Sequence, residues 1–166
     1  VSSAVRALAL STADEAAQQR DRFPAVLTDR LHEDYAIEYR EDGPPRDPAA
    51  TLALKSGACR DLAVLFVECC RSVGLAARFV SGYAHVDDAV EQEFHAWAEV
   101  YLPGGGWRGY DPTLGLAVAD RHVVVAAAAD PADAAGISGT YRGSAVATLE
   151  SAVEISVVPP DSVSDT

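Results

Sequence analysis

A cysteine, a histidine and an aspartate stand in that order at positions 59, 95 and 111. Cys59 follows the Ser56-Gly57 break. It opens a run to Val73 whose apolar positions (Leu62, Leu65, Phe66, Cys69, Cys70 among them) wrap most of a helix. A thiol at a helix N-terminus faces unpaired backbone N–H groups and the positive end of the helix dipole, which favour an anion. Its pKa falls there, and the thiolate is the nucleophile. The competing reading is a buried small hydrophobe, the commonest fate of an unpaired cysteine. For Cys69 and Cys70, in mid-helix, that second reading is the better one.

His95 lies inside an extended stretch, where a lone histidine is usually a packed or half-exposed residue. Asp111 gives it a second meaning. A thiolate needs a base to form its ion pair and later protonate a leaving amine, and the base needs a carboxylate to fix its tautomer. Cys59, His95 and Asp111 supply those three roles. The register is the difficulty. Were Leu102 to pair with Trp107, Asp111 would fall opposite Ala98, on the wrong face for His95. A one-residue shift at the Gly104–Gly106 run corrects this.

The other candidates are weaker. His32, His85 and His122 are scattered, and no Cys/His spacing resembles a zinc site, so no metal or cofactor is expected. Gly104 to Gly106 is not followed by a phosphate-loop helix. Asp87 and Asp88 sit in an acidic stretch and read as surface charge.

These groups need a scaffold. The chain has 166 residues, 49% of them hydrophobic and 23% charged, an ordinary globular balance for about one domain. The net charge of −12 argues against a nucleic-acid partner. No apolar run approaches the roughly 20 residues that span a bilayer, so no membrane is expected. Three cysteines, two of them adjacent, do not make a disulfide framework; ten helical residues put Cys69 about 15 Å from Cys59. A cytoplasmic location is the expectation. The numbering begins at Val1 and the chain has no Met, which reads as a piece of a longer protein. No oligomeric state is legible.

Residues 1–20 read as a helix, and Pro24 opens a second through Leu27, Leu31 and Tyr35. After the loop Glu41–Pro48, Asp47 caps a short helix to about Lys55, and Gly74 ends the central one. Ala77–Ala84, Phe94–Leu102, Trp107–Tyr110 and His122–Ala129 read as strands, and Ala145–Val158 as a last extended stretch. A single domain over 1–158 and a disordered tail over 159–166 are expected. Helices first and then consecutive strands suggest α+β, a central helix packed on an antiparallel sheet.

Three blocks together resemble the transglutaminase-like superfamily, in particular its bacterial cysteine-protease-like branch. Ser56-Gly57-Ala58-Cys59-Arg60-Asp61-Leu62-Ala63 looks like the family's nucleophile motif. Ala77-Arg78-Phe79-Val80-Ser81-Gly82-Tyr83 resembles the strand that follows it. Phe94-His95-Ala96-Trp97, and then Gly106-Trp107-Arg108-Gly109-Tyr110-Asp111-Pro112-Thr113, look like the base and orienting blocks. The likeness spans about residues 50–145. Arg60 and Leu62 stand where the family often has Gln and Phe. The resemblance implies a papain-like core with Cys59 as nucleophile, His95 as general base and Asp111 as orienting carboxylate. Asp61 and Tyr83 would be supports. It also implies acyl transfer from a peptide or protein amide, with hydrolysis ahead of transglutamination because of the branch resembled; no calcium-site pattern points to regulated cross-linking. Two rivals stand beside it: a non-catalytic interaction module that keeps the fold, and an acyl-CoA-dependent N-acyltransferase.

Overall fold

Helix α1 (Ser3–Glu15) begins where Ser2 Oγ accepts the Val5 amide at 3.2 Å, and it buries Val5, Leu8, Ala9, Thr12 and Ala13. It ends before Ala17 and Gln18, both in the left-handed region at φ 52° and 59°, and so stops short of residue 20. Helix α2 (Phe23–Asp34) carries Pro24 in its first turn, where the missing N–H is no loss. Helix α3 (Pro48–Leu54) is capped by Asp47, whose Oδ1 accepts the Ala49 amide at 2.9 Å. The computed structural model describes residues 1–40, 43–85, 94–136, 142–144 and 153–155. The acidic stretch with Asp87 and Asp88, most of Ala145–Val158 and the tail 159–166 lie outside the described residues.

Before the central helix, β1 (Ala36–Ile37) pairs in parallel with β2 (Ser56–Gly57). Two residues carry no readable period, so this bridge was not expected. Helix α4 (Cys59–Ser72) follows and turns out of the helix at Gly74, φ 79°. Eight of its residues are buried, from Asp61 to Cys70, as a central helix requires.

The strands β3 (Ala77–Ala84), β4 (Phe94–Leu102), β5 (Gly106–Asp111), β6 (Leu116–Ala117) and β7 (His122–Ala128) form one sheet in the order β6-β5-β4-β3-β7. All of its pairings are antiparallel. The α+β architecture is therefore the expected one. Strand β7 was expected, but its place was not: it crosses to the far side and pairs with β3. Ala96, Ala98 and Val100 of β4, with Ala77 and Phe79 of β3, pack under Leu62, Ala63, Leu65 and Phe66 of α4. Trp97 and Val80, of the opposite parity, are fully buried as well. Among the described residues, no helix is long and apolar enough to cross a membrane.

The β4–β5 hairpin corrects the register assumed from sequence. Gly105 N–H donates to Leu102 O at 2.9 Å, with Pro103 and the positive-φ Gly104 between them, the residue pair a type II turn requires. The loop therefore closes one residue early, and Leu102 pairs with Gly106 instead of Trp107. Ala98 then pairs with Tyr110, and one step further sets Asp111 opposite Trp97, on the face of His95.

Candidate active site

The mouth of α4 is built around a buried carboxylate. Asp61, fully buried in the first turn, reaches back to accept the Ala58 amide at 3.0 Å. Its other oxygen accepts from Arg40 Nη2 at 2.5 Å and from the Arg46 amide at 2.8 Å. A Cβ on Gly57 would come within 2.8 Å of Asp61 Cβ, so the approach to Cys59 requires glycine there. Asp61 thus acts as the support the resemblance implied. It fixes the helix start and ties it to the preceding loop.

Cys59 is the first residue of α4 and is partly exposed. Its own amide, at that position, has no partner within the helix. The thiol shares a cleft with His95, the second residue of β4, and lies close enough to act on the ring's charge. His95 Nε2–H donates to Asp111 Oδ2 at 2.7 Å, which leaves Nδ1 as the ring nitrogen free to exchange a proton. The structure therefore brings Cys59 and His95 to one cleft and hydrogen-bonds His95 to Asp111.

Asp111 is fully buried and accepts four hydrogen bonds. Oδ1 takes the amides of Thr113 and Leu114 at 2.9 and 3.1 Å. Oδ2 takes His95 and also His122 Nε2–H, at 3.0 Å. His32, on α2, donates from Nδ1 to Thr113 O at 3.0 Å and so braces the turn beyond Asp111. His122 is the residue that sequence reasoning missed. It sits at the start of β7, and only the crossover of β7 to β3 carries it to Asp111; no local spacing announces that pairing. Its ring meets Trp97 edge-on, with centroids 5.0 Å apart. His85, by contrast, pairs through its backbone amide with Arg121 O.

Burial alone would push the His95 imidazolium down. The hydrogen bond to Asp111 and the charges of Asp111 and Cys59 outweigh it and raise the ring from 6.5 to about 10. Burial would push Asp111 up, but His122 and His95 together lower it from 3.8 to about 2. The site is thus poised to hold a proton on the ring and a charge on the carboxylate at neutral pH.

One donor set tests for a metal. His95 Nε2, Asp111 Oδ2 and His122 Nε2 lie within 4.8 Å of one another. An ion among them would take the place of both Nε2 protons and force the remaining proton of His122 onto Nδ1. That atom is buried and has no acceptor among the described residues. The donor set suits two hydrogen bonds to a carboxylate better than a metal.

From Cys59 and His95 a cleft of about 700 Å³ opens between the loop leading into α3 and a short 3₁₀ turn at Pro131–Ala134. Phe79, Phe94 and Ala96 line it from the sheet side. Tyr83, the other support implied by resemblance, meets Phe94 edge-on with centroids 5.4 Å apart.

The model of the transglutaminase-like superfamily matches residues 6–112. The Mycobacterium leprae protein ML0607 is 36% identical over 105 residues, 60% of this chain and 37% of that protein. The Mycobacterium tuberculosis protein Rv2569c is 31% identical over 145 residues, 80% of this chain and 46% of that protein. The chain therefore spans less than half the length of these relatives. Among solved structures, a putative cysteine protease from Cytophaga hutchinsonii matches with a TM-score of 0.65 and 27% identity, over 79% of this chain and 45% of that one. The periplasmic domain of TgpA from Pseudomonas aeruginosa matches with a TM-score of 0.52 and 27% identity, over 67% of this chain and 42% of that one. With the family model covering well over half its length and its papain-like α+β core shared with these structures, the chain belongs to the transglutaminase-like superfamily.

Proposed function

We propose that this chain transfers the acyl group of an amide through a thioester on Cys59, and that hydrolysis of a peptide or protein amide is the outcome. One observation carries the reading: the Cys59 thiol and the His95 ring line the same cleft, and that ring is hydrogen-bonded to the buried Asp111 carboxylate. The likeness to the Cytophaga protein favours hydrolysis over transfer to a second amine.

The chemistry follows from the atoms present. The Cys59 thiolate attacks the amide carbonyl carbon and forms a C–S bond. The oxyanion meets the Cys59 amide at the positive end of α4. The C–N bond breaks as His95 Nδ1 gives its proton to the departing nitrogen. His95 then takes a proton from water, the hydroxide attacks the thioester, and the sulfur leaves as thiolate with the proton back on the ring. Asp111 stays ionised throughout. Its role is to hold Nε2–H and stabilise the imidazolium.

The test is the rate at which iodoacetamide labels Cys59 at pH 6. Labelling much faster than an ordinary exposed thiol, lost in His95→Ala, is the expected result. A peptide and amide library run against wild type and Cys59→Ala then seeks the substrate. Ordinary labelling would favour the non-catalytic module, and hydrolysis that survives Cys59→Ala would remove the covalent mechanism.

A further inference from the structure

The cleft beside Cys59 carries information about what it holds. The loop wall presents Pro44, Pro45 and Pro48, and Val64 and Phe79 lie deeper. Charged groups at the cleft are already committed within the chain. Arg46 pairs with Glu38 at 2.5 Å, and Arg60 is engaged as well. Asp47 accepts the Ala49 amide, and Asp130 the Ala132 amide at 3.0 Å. Most of the surface that remains to meet a ligand is hydrocarbon.

Phe94 is the most telling member. It is the immediate neighbour of His95, yet it is 43% exposed. It is held in place rather than left loose. Tyr83 abuts its ring edge-on, and Gly136 lies so close that a Cβ there would come within 2.7 Å of Phe94 Cζ. The wall opposite is fixed as well: Ser81 Oγ–H donates to Ala134 O at 2.5 Å. An exposed aromatic ring fixed beside a reactive pair costs little further ordering when an apolar group lands on it.

We propose that the cleft selects amides whose side chain next to the scissile bond is bulky and apolar, aromatic or branched aliphatic, and disfavours charged or carboxamide side chains. A carboxamide buried there would leave its donors and acceptor without partners. This rests on the acyl-transfer reading and names its substrate class. It also accounts for Ala132, Ala134 and Ala135 on the turn wall, where small side chains leave room for a large one from the ligand.

The experiment labels Cys59 in the full chain with a chloroacetamide series bearing N-benzyl, N-carbamoylmethyl or N-carboxymethyl groups. Each rate is normalised to the same reagent with glutathione. The expected normalised preference for N-benzyl over the other two is about tenfold, the worth of ~1.4 kcal/mol of apolar contact. Phe94→Ser should reduce that ratio to about twofold. So should Ala132→Asp, a change on the exposed opposite wall that does not touch the core. The absolute rate judges the thiol and the ratio judges the cleft. Fast labelling with a flat series overturns the side-chain preference and leaves acyl transfer standing. A tenfold ratio on a slow thiol overturns acyl transfer, and the substrate assignment with it.

Discussion

Helix α4 carries three thiols on one apolar stripe, and its two ends treat them in opposite ways. Cys59 lies one turn before Leu62 and Ala63, and the same 3–4 spacing leads on through Phe66 to Cys69 and Cys70. In the middle of the helix the stripe is sealed. Burial pushes the Cys69 thiol up to about 12 and Cys70 well above its ordinary 9.0. The Cys69 thiol reaches Val5 O only at 4.0 Å. At the N-terminal end the stripe runs out of core and into the cleft, where a histidine waits for the sulfur. Residue type and helix face are shared. What separates a nucleophile from a core methyl surrogate is the end of the helix on which it stands.

The largest expected effect is the difference between those thiols. In the native chain a disulfide reagent should titrate Cys59 alone. Cys69 and Cys70 should react only through unfolding, about 10⁴-fold or more slowly. Comparable rates at Cys69 would break the comparison outright. Next is His95→Ala, which should lower amide turnover by roughly 10³-fold. The slow exchange of Cys69 and Cys70 should stay as it was, since the change lies at the other end of the helix.

Acidity sharpens the same contrast. His95 is raised in the folded chain, so its contribution to stability is whole below pH 6.5 and is lost as pH rises through about 10. Asp111 is lowered, so its contribution is whole above pH 3.8 and is lost as pH falls through about 2. Amide turnover needs the ring proton for the leaving nitrogen. A pH–rate profile should therefore fall on the alkaline side near pH 10. In Asp111→Asn that limb should move to lower pH, because the carboxylate no longer opposes burial of the imidazolium. An unmoved limb would mean that some other group titrates there.

The sequence was most legible where chemistry and period coincide. The bounds of β3 and β4 could be read because β-branched and aromatic residues end at turn formers. Cys59, His95 and Asp111 could be named because the motifs around them are compact. The registration of His95 with Asp111 was one residue out, since it depends on whether a Pro-Gly turn closes after three residues or four. His122 was beyond reach for a different reason. Strand β7 could have been added beside β6 or beside β3, and only the finished sheet decides. The bulge between Ser81 and Gly82 in its pairing with β3 then sets the ring's position. Local pattern specified the elements, while the fourth ligand of Asp111 depended on the longest-range pairing in the sheet.

The smaller effects are on stability, and they too divide α4 by end. Asp61→Asn should destabilise the chain by about 2–3 kcal/mol, because Arg40 and two backbone amides lose a buried charge. It should also slow labelling of Cys59, whose helix mouth it loosens.

The smallest change is a single atom, sulfur to oxygen, made at each end in turn. Cys70→Ser puts a hydroxyl into the buried core, where the carbonyl one turn back in α4 can accept its proton. That bond offsets part of the desolvation, so a loss of about 1–2 kcal/mol is expected, read as a lower urea midpoint at constant slope. The same substitution at Cys59 meets a partly exposed site with a histidine beside it, and stability should change by no more than about 0.5 kcal/mol. Amide turnover should behave the other way round, unaffected by Cys70→Ser and lost in Cys59→Ser, since a serine hydroxyl does not ionise against His95 as a thiol does. Equal stability costs at the two positions would show that both thiols belong to the core and that the helix has no reactive end.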